Sequence, residues 1–196
     1  MSKTVDYYHF LISPWSYLAI DRFNSLKKRT GIEVNYLPID VPSTFGNMGG
    51  LPPAKRHPSR QSLRMDELKR WSSYLNVPMN LTPTYFPADQ SMAAAMVYAA
   101  GGTDAGILSD AVLTAAWRDE KNVADTDTLV AIANDCGLDG LALLAAAADP
   151  GVQGKMIEIT KIAHEKKVFG SPTYIVDGEL FWGQDRLDFL ERALSS

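Results

Sequence analysis

Three short stretches of this chain gather side chains able to do chemistry. The first is Ser13-Pro14-Trp15-Ser16-Tyr17. A serine just before a helix, with proline at the first helical position, is ordinary capping. The same hydroxyl, aimed at a ligand, donates to an anion held by the free N–H groups of the first turn. Both readings fit the residues. The second is Phe169-Gly170-Ser171-Pro172-Thr173, where proline opens a strand. The third is Phe181-Trp182-Gly183-Gln184-Asp185-Arg186. Gln184 and Asp185 offer polar groups to a ligand's ammonium and carboxylate. Alternatively Asp185 balances a helix N-terminus, and Asp185–Arg186 is a surface ion pair worth little. The single cysteine, Cys136, closes no intrachain disulfide and excludes a Cys-x-x-Cys centre. It reads as a small buried apolar residue. The three histidines, His9, His57 and His164, lack ligand spacing, so no metal is expected.

The elements that must position these stretches follow from periodicity and punctuation. Residues 5–12 are aromatic and β-branched and stop at Ser13-Pro14, a strand. Residues 16–28 repeat apolar side chains at helical spacing, with Lys27, Lys28, Arg29 and then Gly31 closing the helix. A second strand spans 32–39, so the chain opens β-α-β with a parallel pair. Residues 40–60, rich in proline and glycine, read as a long loop of the functional kind. A helix is expected over about 62–75, an irregular stretch over 78–87, then helices at 90–100, 104–118, 126–135, 139–147 and 152–167. Strands at 173–176 and 179–182 flank the Asp177-Gly178 hairpin turn, and a helix at 185–194 closes the chain. An isolated hairpin is marginal, so the terminal strands must join the opening ones. The class is α/β. The order β-α-β … β-β-α is that of the thioredoxin-like fold, with a large all-helical insertion. Residues 1–61 and 168–196 form the thioredoxin-like domain and 62–167 the helical insertion. In that fold the site lies where the first strand turns into the first helix, and the proline before the third strand faces it.

Composition narrows the function. A hydrophobic content of 46% supports a packed core. A net charge of −4 gives no footprint for nucleic acid or an anionic membrane. No apolar run approaches the length of a membrane span, and the opening residues show no signal-peptide pattern. One unpaired cysteine fits a reduced, cytoplasmic setting.

The chain resembles the 2-hydroxychromene-2-carboxylate isomerases and the related kappa-class glutathione transferases. More distantly it is similar to periplasmic disulfide oxidases of the thioredoxin superfamily. The likeness rests on Ser13-Pro14-Trp15-Ser16-Tyr17-Leu18-Ala19, Gly46-Asn47, Ala116-Trp117 with Asn122-Val123-Ala124-Asp125, Val168 to Thr173, and Trp182 to Leu187. It implies a glutathione-dependent enzyme, with Ser13 and Ser16 where the disulfide oxidases carry cysteines. Ser13 then stabilises the thiolate of bound glutathione, a far better nucleophile than a serine hydroxyl. Asn47, Ser171, Pro172, Trp182, Gly183, Gln184 and Asp185 join Ser13 as glutathione contacts.

The implied reaction is cis–trans isomerisation of a small aromatic substrate, a ring-opened unsaturated α-keto acid bearing a phenol. Lys55 and Arg56 are candidates for its carboxylate, or are solvated loop charges. Tyr85 and Trp117 are candidates to border its ring, or are core. Relatives suggest a homodimer. Two departures stand out: Ser171 replaces a small apolar residue before Pro172, and His9 stands where many relatives carry Asp. Two other readings share the residues. One is a kappa-like transferase or peroxidase acting on other electrophiles. The other is a thioredoxin-like binding module without redox cysteines that holds an extended peptide beside Pro172.

Overall fold

The computed structural model describes residues 3–195. Strand β1 (Thr4–His9) leads into helix α1 (Pro14–Thr30) and strand β2 (Glu33–Pro38). Strands β3 (Thr173–Val176) and β4 (Glu179–Trp182) and a closing helix, α9 (Leu187–Ser195), complete the frame. The sheet order is β2-β1-β3-β4. β1 pairs parallel with β2 and antiparallel with β3, and β3 pairs antiparallel with β4. This is the expected thioredoxin-like arrangement. The β3–β4 hairpin turns through Asp177 (φ 50°) and Gly178 (φ 84°). Two left-handed residues in succession match the right-handed twist of the flanking strands.

Between β2 and β3 lie α2 (Val41–Asn47), α3 (Pro58–Leu75), α4 (Ser91–Ala100), α5 (Gly102–Trp117), α6 (Thr126–Asp135), α7 (Gly140–Ala147) and α8 (Pro150–Glu165). The expected long loop over 40–60 is corrected here. It holds α2, a single 3-10 turn at Pro53–Lys55, and the start of α3. Asp40 caps α2 by accepting from the Ser43 N–H at 2.7 Å, with Pro42 in the first turn. The glycines and prolines that suggest a loop here include a proline serving as a helix start.

The sheet core is aromatic. Tyr7 stacks on His9 (centroids 4.3 Å apart) and on Tyr174 (5.1 Å), with Phe23 of α1 and Tyr36 of β2 packed against Tyr7. Alternation along β1 puts Tyr7 and His9 on one face, toward α1 and α5. The stack and the helix behind it hold two desolvated titratable groups, His9 in the stack itself and half-buried Asp110 on α5. His9 Nδ1 meets the Tyr7 carbonyl at 3.2 Å, and Nε2 meets Ser109 Oγ at 3.2 Å. A carbonyl only accepts, so the neutral ring carries its proton on Nδ1 and accepts from Ser109. Burial lowers the His9 pKa to about 4. Asp110, on α5, accepts from Asn24 Nδ2 of α1 at 2.7 Å, and burial pushes its pKa up to about 6.

These two groups act in opposite senses. His9 binds its proton more weakly in the folded state, so it removes stability as pH falls from about 6.5 to about 4. Asp110 binds its proton more tightly when folded, so it adds stability as pH falls from about 6 to its unfolded value of 3.8. The two effects oppose each other where their windows overlap, each bounded by about 1.4 kcal/mol per pH unit. Asp110→Asn removes one arm. Against the wild type, the variant is expected to gain stability at pH 7 and to lose that advantage progressively between pH 6 and pH 4. Urea denaturation of both proteins across this range checks it. Parallel profiles would refute the assignment.

Candidate active site at the β1–α1 corner

The chain leaves β1 through Phe10-Leu11-Ile12 and enters α1 at Ser13, which is only 6% exposed. The Ser13 N–H donates to the Phe10 carbonyl at 3.0 Å, closing the turn. Ser13 is the N-cap. Its Oγ accepts from the Ser16 N–H at 3.2 Å, and Pro14 follows. The capping bond occupies an Oγ lone pair and leaves the hydroxyl proton to donate outward. Capping and a role toward an anion therefore do not exclude each other. Pro14 has no N–H, Ser16 and Tyr17 spend theirs on Ser13, and the Trp15 N–H is left without a partner among the described residues. One free amide and one hydroxyl thus lie in the first turn of a 17-residue helix, at its positive end.

The other wall comes from the far end of the sequence. The Ser171–Pro172 peptide bond is cis. Ser171 Oγ accepts from the Phe10 N–H at 2.8 Å and bonds Ser16 Oγ at 2.7 Å. The Pro172 carbonyl accepts from the Gly183 N–H at 2.9 Å. Ser171's own N–H and C=O have no partner among the described residues, so they are open to an extended ligand. The structure thus brings together Ser13, Ser16, Ser171, Pro172 and Gly183. The side chains of Ser16 and Ser171 hold the two walls to each other, a role that sequence reasoning did not assign.

The third stretch lies beside this wall. Trp182 is 50% exposed and packs edge-on against Phe169, with ring centroids 4.7 Å apart. Gly170 has to be glycine, because a Cβ there would stand 2.6 Å from Trp182 Nε1. Gln184 is buried, and its Oε1 accepts from Arg22 Nη2. Arg22 was not singled out from sequence. It links α1 to this loop, and its guanidinium sits 5.6 Å from the Trp71 ring centroid of α3. Asp185 pairs with Arg186 at 2.9 Å on a partly exposed surface.

The remaining sequence candidates spread outward. Asn47 is exposed at the end of α2 and donates to Ser43 Oγ at 3.1 Å. Lys55 is exposed, while Arg56 is half-buried with its Nε on the Leu51 carbonyl at 2.8 Å. Tyr85 is 47% exposed, whereas Trp117 is 1% exposed and donates its indole N–H to the Ile12 carbonyl at 3.2 Å. Both line a small apolar dent beside Ile12, together with Phe86, Ala116 and Glu120. Glu120 Oε2 accepts from the Thr84 N–H and hydroxyl, and its Oε1 is buried without a partner. Cys136, at the end of α6, is half-buried. Burial and Asp135 raise its pKa, the opposite of an activated thiol.

Among the described residues no group of three or more His, Cys, Asp and Glu side chains is placed to share a metal ion. No helix there is long and apolar enough to cross a membrane.

Residues 4–195 match the family described as the DSBA-like thioredoxin domain. A 2-hydroxychromene-2-carboxylate isomerase from Sphingobium xenophagum is 35% identical over 195 residues, covering 99% of each chain. A solved 2-hydroxychromene-2-carboxylate isomerase superposes with a TM-score of 0.85 at 26% identity, covering 98% of this chain and 94% of that one. Glutathione S-transferase kappa 1 from Caenorhabditis elegans is 30% identical over 82 residues, 41% of this chain and 36% of its own. On this likeness in sequence and in fold, the chain belongs to the 2-hydroxychromene-2-carboxylate isomerases, a family of isomerases built on the DSBA-like thioredoxin domain.

Proposed function

We propose that the protein is a glutathione-dependent cis–trans isomerase of ring-opened 2-hydroxychromene-2-carboxylate-type aromatic catabolites. One observation carries the reading: at the start of α1 a capped serine keeps its proton free to donate, next to an unpartnered amide. Such a site stabilises an anion, and the chain offers no thiolate of its own there. The kappa-class segment supports glutathione as its source. On this reading the enzyme works in the cytoplasm, where glutathione keeps a lone cysteine reduced, and the proposal takes it as a homodimer.

The Ser13 hydroxyl and the Trp15 N–H hold the glutathione sulfur as thiolate. Ser171 pairs its free N–H and C=O with the tripeptide backbone beside Pro172. Trp182, Gly183, Gln184 and Asp185 take the γ-glutamyl end. Asn47, exposed at the end of α2, is assigned a glutathione contact on the resemblance alone. The thiolate adds to the conjugated carbon, forming a C–S bond while the alkene electrons move onto the α-keto oxygen. The former double bond, now single, rotates. The enolate then reforms the alkene and expels the thiolate, so atoms and electrons balance with no net oxidation. Arg56, half-buried, partners the substrate carboxylate ahead of exposed Lys55, and Tyr85 and Trp117 border the ring at the dent. A transferase at the same thiolate site is the second reading, favoured by the kappa-class segment. Product analysis separates the two. The isomerase interconverts cis and trans acids only with glutathione present and returns all of it, whereas a transferase consumes one glutathione per turnover. Turnover unaffected by omitting glutathione would remove both.

Ser13→Ala deletes one hydrogen bond to a charged sulfur, worth roughly 1.5–3 kcal/mol. Part of that falls on the thiolate alone, so turnover at neutral pH is expected to drop by about one to two orders of magnitude. Raising the pH should partly restore it. Ultraviolet titration of the glutathione complex is the check, and identical thiolate curves in both proteins would leave Ser13 as a cap only.

Asp185 lies at the end of the site remote from sulfur. Asp185→Asn is expected to raise the apparent Kd for glutathione and leave kcat at saturation nearly unchanged. Calorimetry with steady-state kinetics decides it. Normal binding with poor turnover would contradict the assigned place.

A further inference from the structure

Helix α3 carries Arg60 and Arg64 one turn apart, and the turn before it carries Arg56. Gln61 Nε2 donates to the carbonyls of Arg56 (2.7 Å) and Ala54 (3.3 Å), which docks that turn on the start of α3. The Arg64 guanidinium lies 5.7 Å from the Phe86 ring centroid, and that of Arg56 lies 6.0 Å from the Phe45 centroid. Arg56 is bound through Nε to a carbonyl, and Arg64 touches only the Met65 sulfur at 3.7 Å. Neither meets a carboxylate among the described residues, whereas Arg29, Arg70, Arg118 and Arg186 each do. Burial, joined by a neighbouring guanidinium, lowers the pKa of both Arg56 and Arg64; Arg56 is the neighbour that acts on Arg64. Two partly desolvated like charges with no counter-ion are unfavourable unless an anion joins them.

Their supporting rings each reach the turn that leads into Ser13. Phe45 packs edge-on against Phe10 at 5.7 Å, and Phe10 carries the N–H bound by Ser171. Phe86 packs against Trp117 at 5.1 Å, whose indole holds the Ile12 carbonyl. We propose that Arg64, together with Arg56, clamps the carboxylate of a planar aromatic acid beside the Ser13 corner, with Phe45 and Phe86 as its apolar floor. Guanidinium groups suit this role because their planar donor forks match a carboxylate's two oxygens. Lys55, exposed and fully hydrated, gives little recognition. The identity of the acid as the isomerised substrate rests on the proposed function; the clamp itself does not.

The test is calorimetric titration with trans-2-hydroxycinnamate and with its methyl ester, on wild type, Arg64→Met, Arg56→Met and Lys55→Met, each checked for folding by its melting curve. Wild type is expected to prefer the acid by about 10- to 100-fold, the span of a charge-assisted contact. Arg64→Met and Arg56→Met should lose most of that preference while binding the ester as wild type does, and Lys55→Met should keep it. Where Arg64→Met melts early, Arg64→Lys serves instead, keeping the charge but not the fork, and should lose part of the preference. Acid binding unchanged in the Arg64 variants, or lost equally in Lys55→Met, overturns the clamp. A wild type that isomerises its substrate yet does not distinguish acid from ester also overturns the clamp and leaves the isomerase reading standing. Discrimination without any isomerisation does the reverse.

Discussion

The Ser171 hydroxyl is the joint on which the corner depends. It accepts from the Phe10 N–H and bonds Ser16 Oγ, so residues 161 and 155 positions away in sequence are fixed to the same oxygen. All three residues sit where water does not compete, and an unmade bond there would leave a buried donor orphaned at a cost of about 1–3 kcal/mol. β3 alone would align the strands, because its register with β1 is set by Tyr7 opposite Tyr174. It would not fix how far α1's first turn stands from the Pro172 loop. The hydroxyl pair sets that distance, and with it the width of the cleft in which Ser13 is presented.

Behind the joint, the aromatic stack makes the corner rigid. Tyr7, His9 and Tyr174 lie nearly parallel, with interplanar angles of 7° and 10°. His9 is held neutral here by burial, so it adds packing area without an uncompensated charge. Its Nε2 reaches Ser109 on α5, while Asp110 on the same helix holds Asn24 on α1. The helical segment between β2 and β3 is thereby bound to the sheet and to the helix that carries Ser13. Trp117, at the end of α5, extends this hold to Ile12.

Most of the frame was legible because its signals are local. Period-2 aromatics mark β1, Asp177-Gly178 marks the hairpin, and Ser13-Pro14 marks the start of α1. The failures share one physical origin. α2 is stabilised by an aspartate cap and by packing of Thr44 and Phe45, which the surrounding prolines and glycines conceal. The roles of Ser16, Ser171 and Arg22 are contacts between residues more than 150 positions apart, and no spacing within one segment encodes them. Arg64 reads as one more charge on a polar helix face. Only the fold shows that its neighbour is another arginine and its floor a phenylalanine.

The proposed chemistry ties these features together through charge. Cys136, just past the end of α6, has its thiol pKa raised and no activating base among the described residues, so the proposed reading takes its reactive sulfur from a bound ligand. A cleft that stabilises one anion at a helix start repels a second unless separate cations receive it. In the proposed clamp Arg56 and Arg64 supply those cations from the turn before α3 and from α3, over the Phe45 and Phe86 rings. On that reading the carboxylate is met by its own cations and the thiolate by the helix start, so each anion has its own counter-charge.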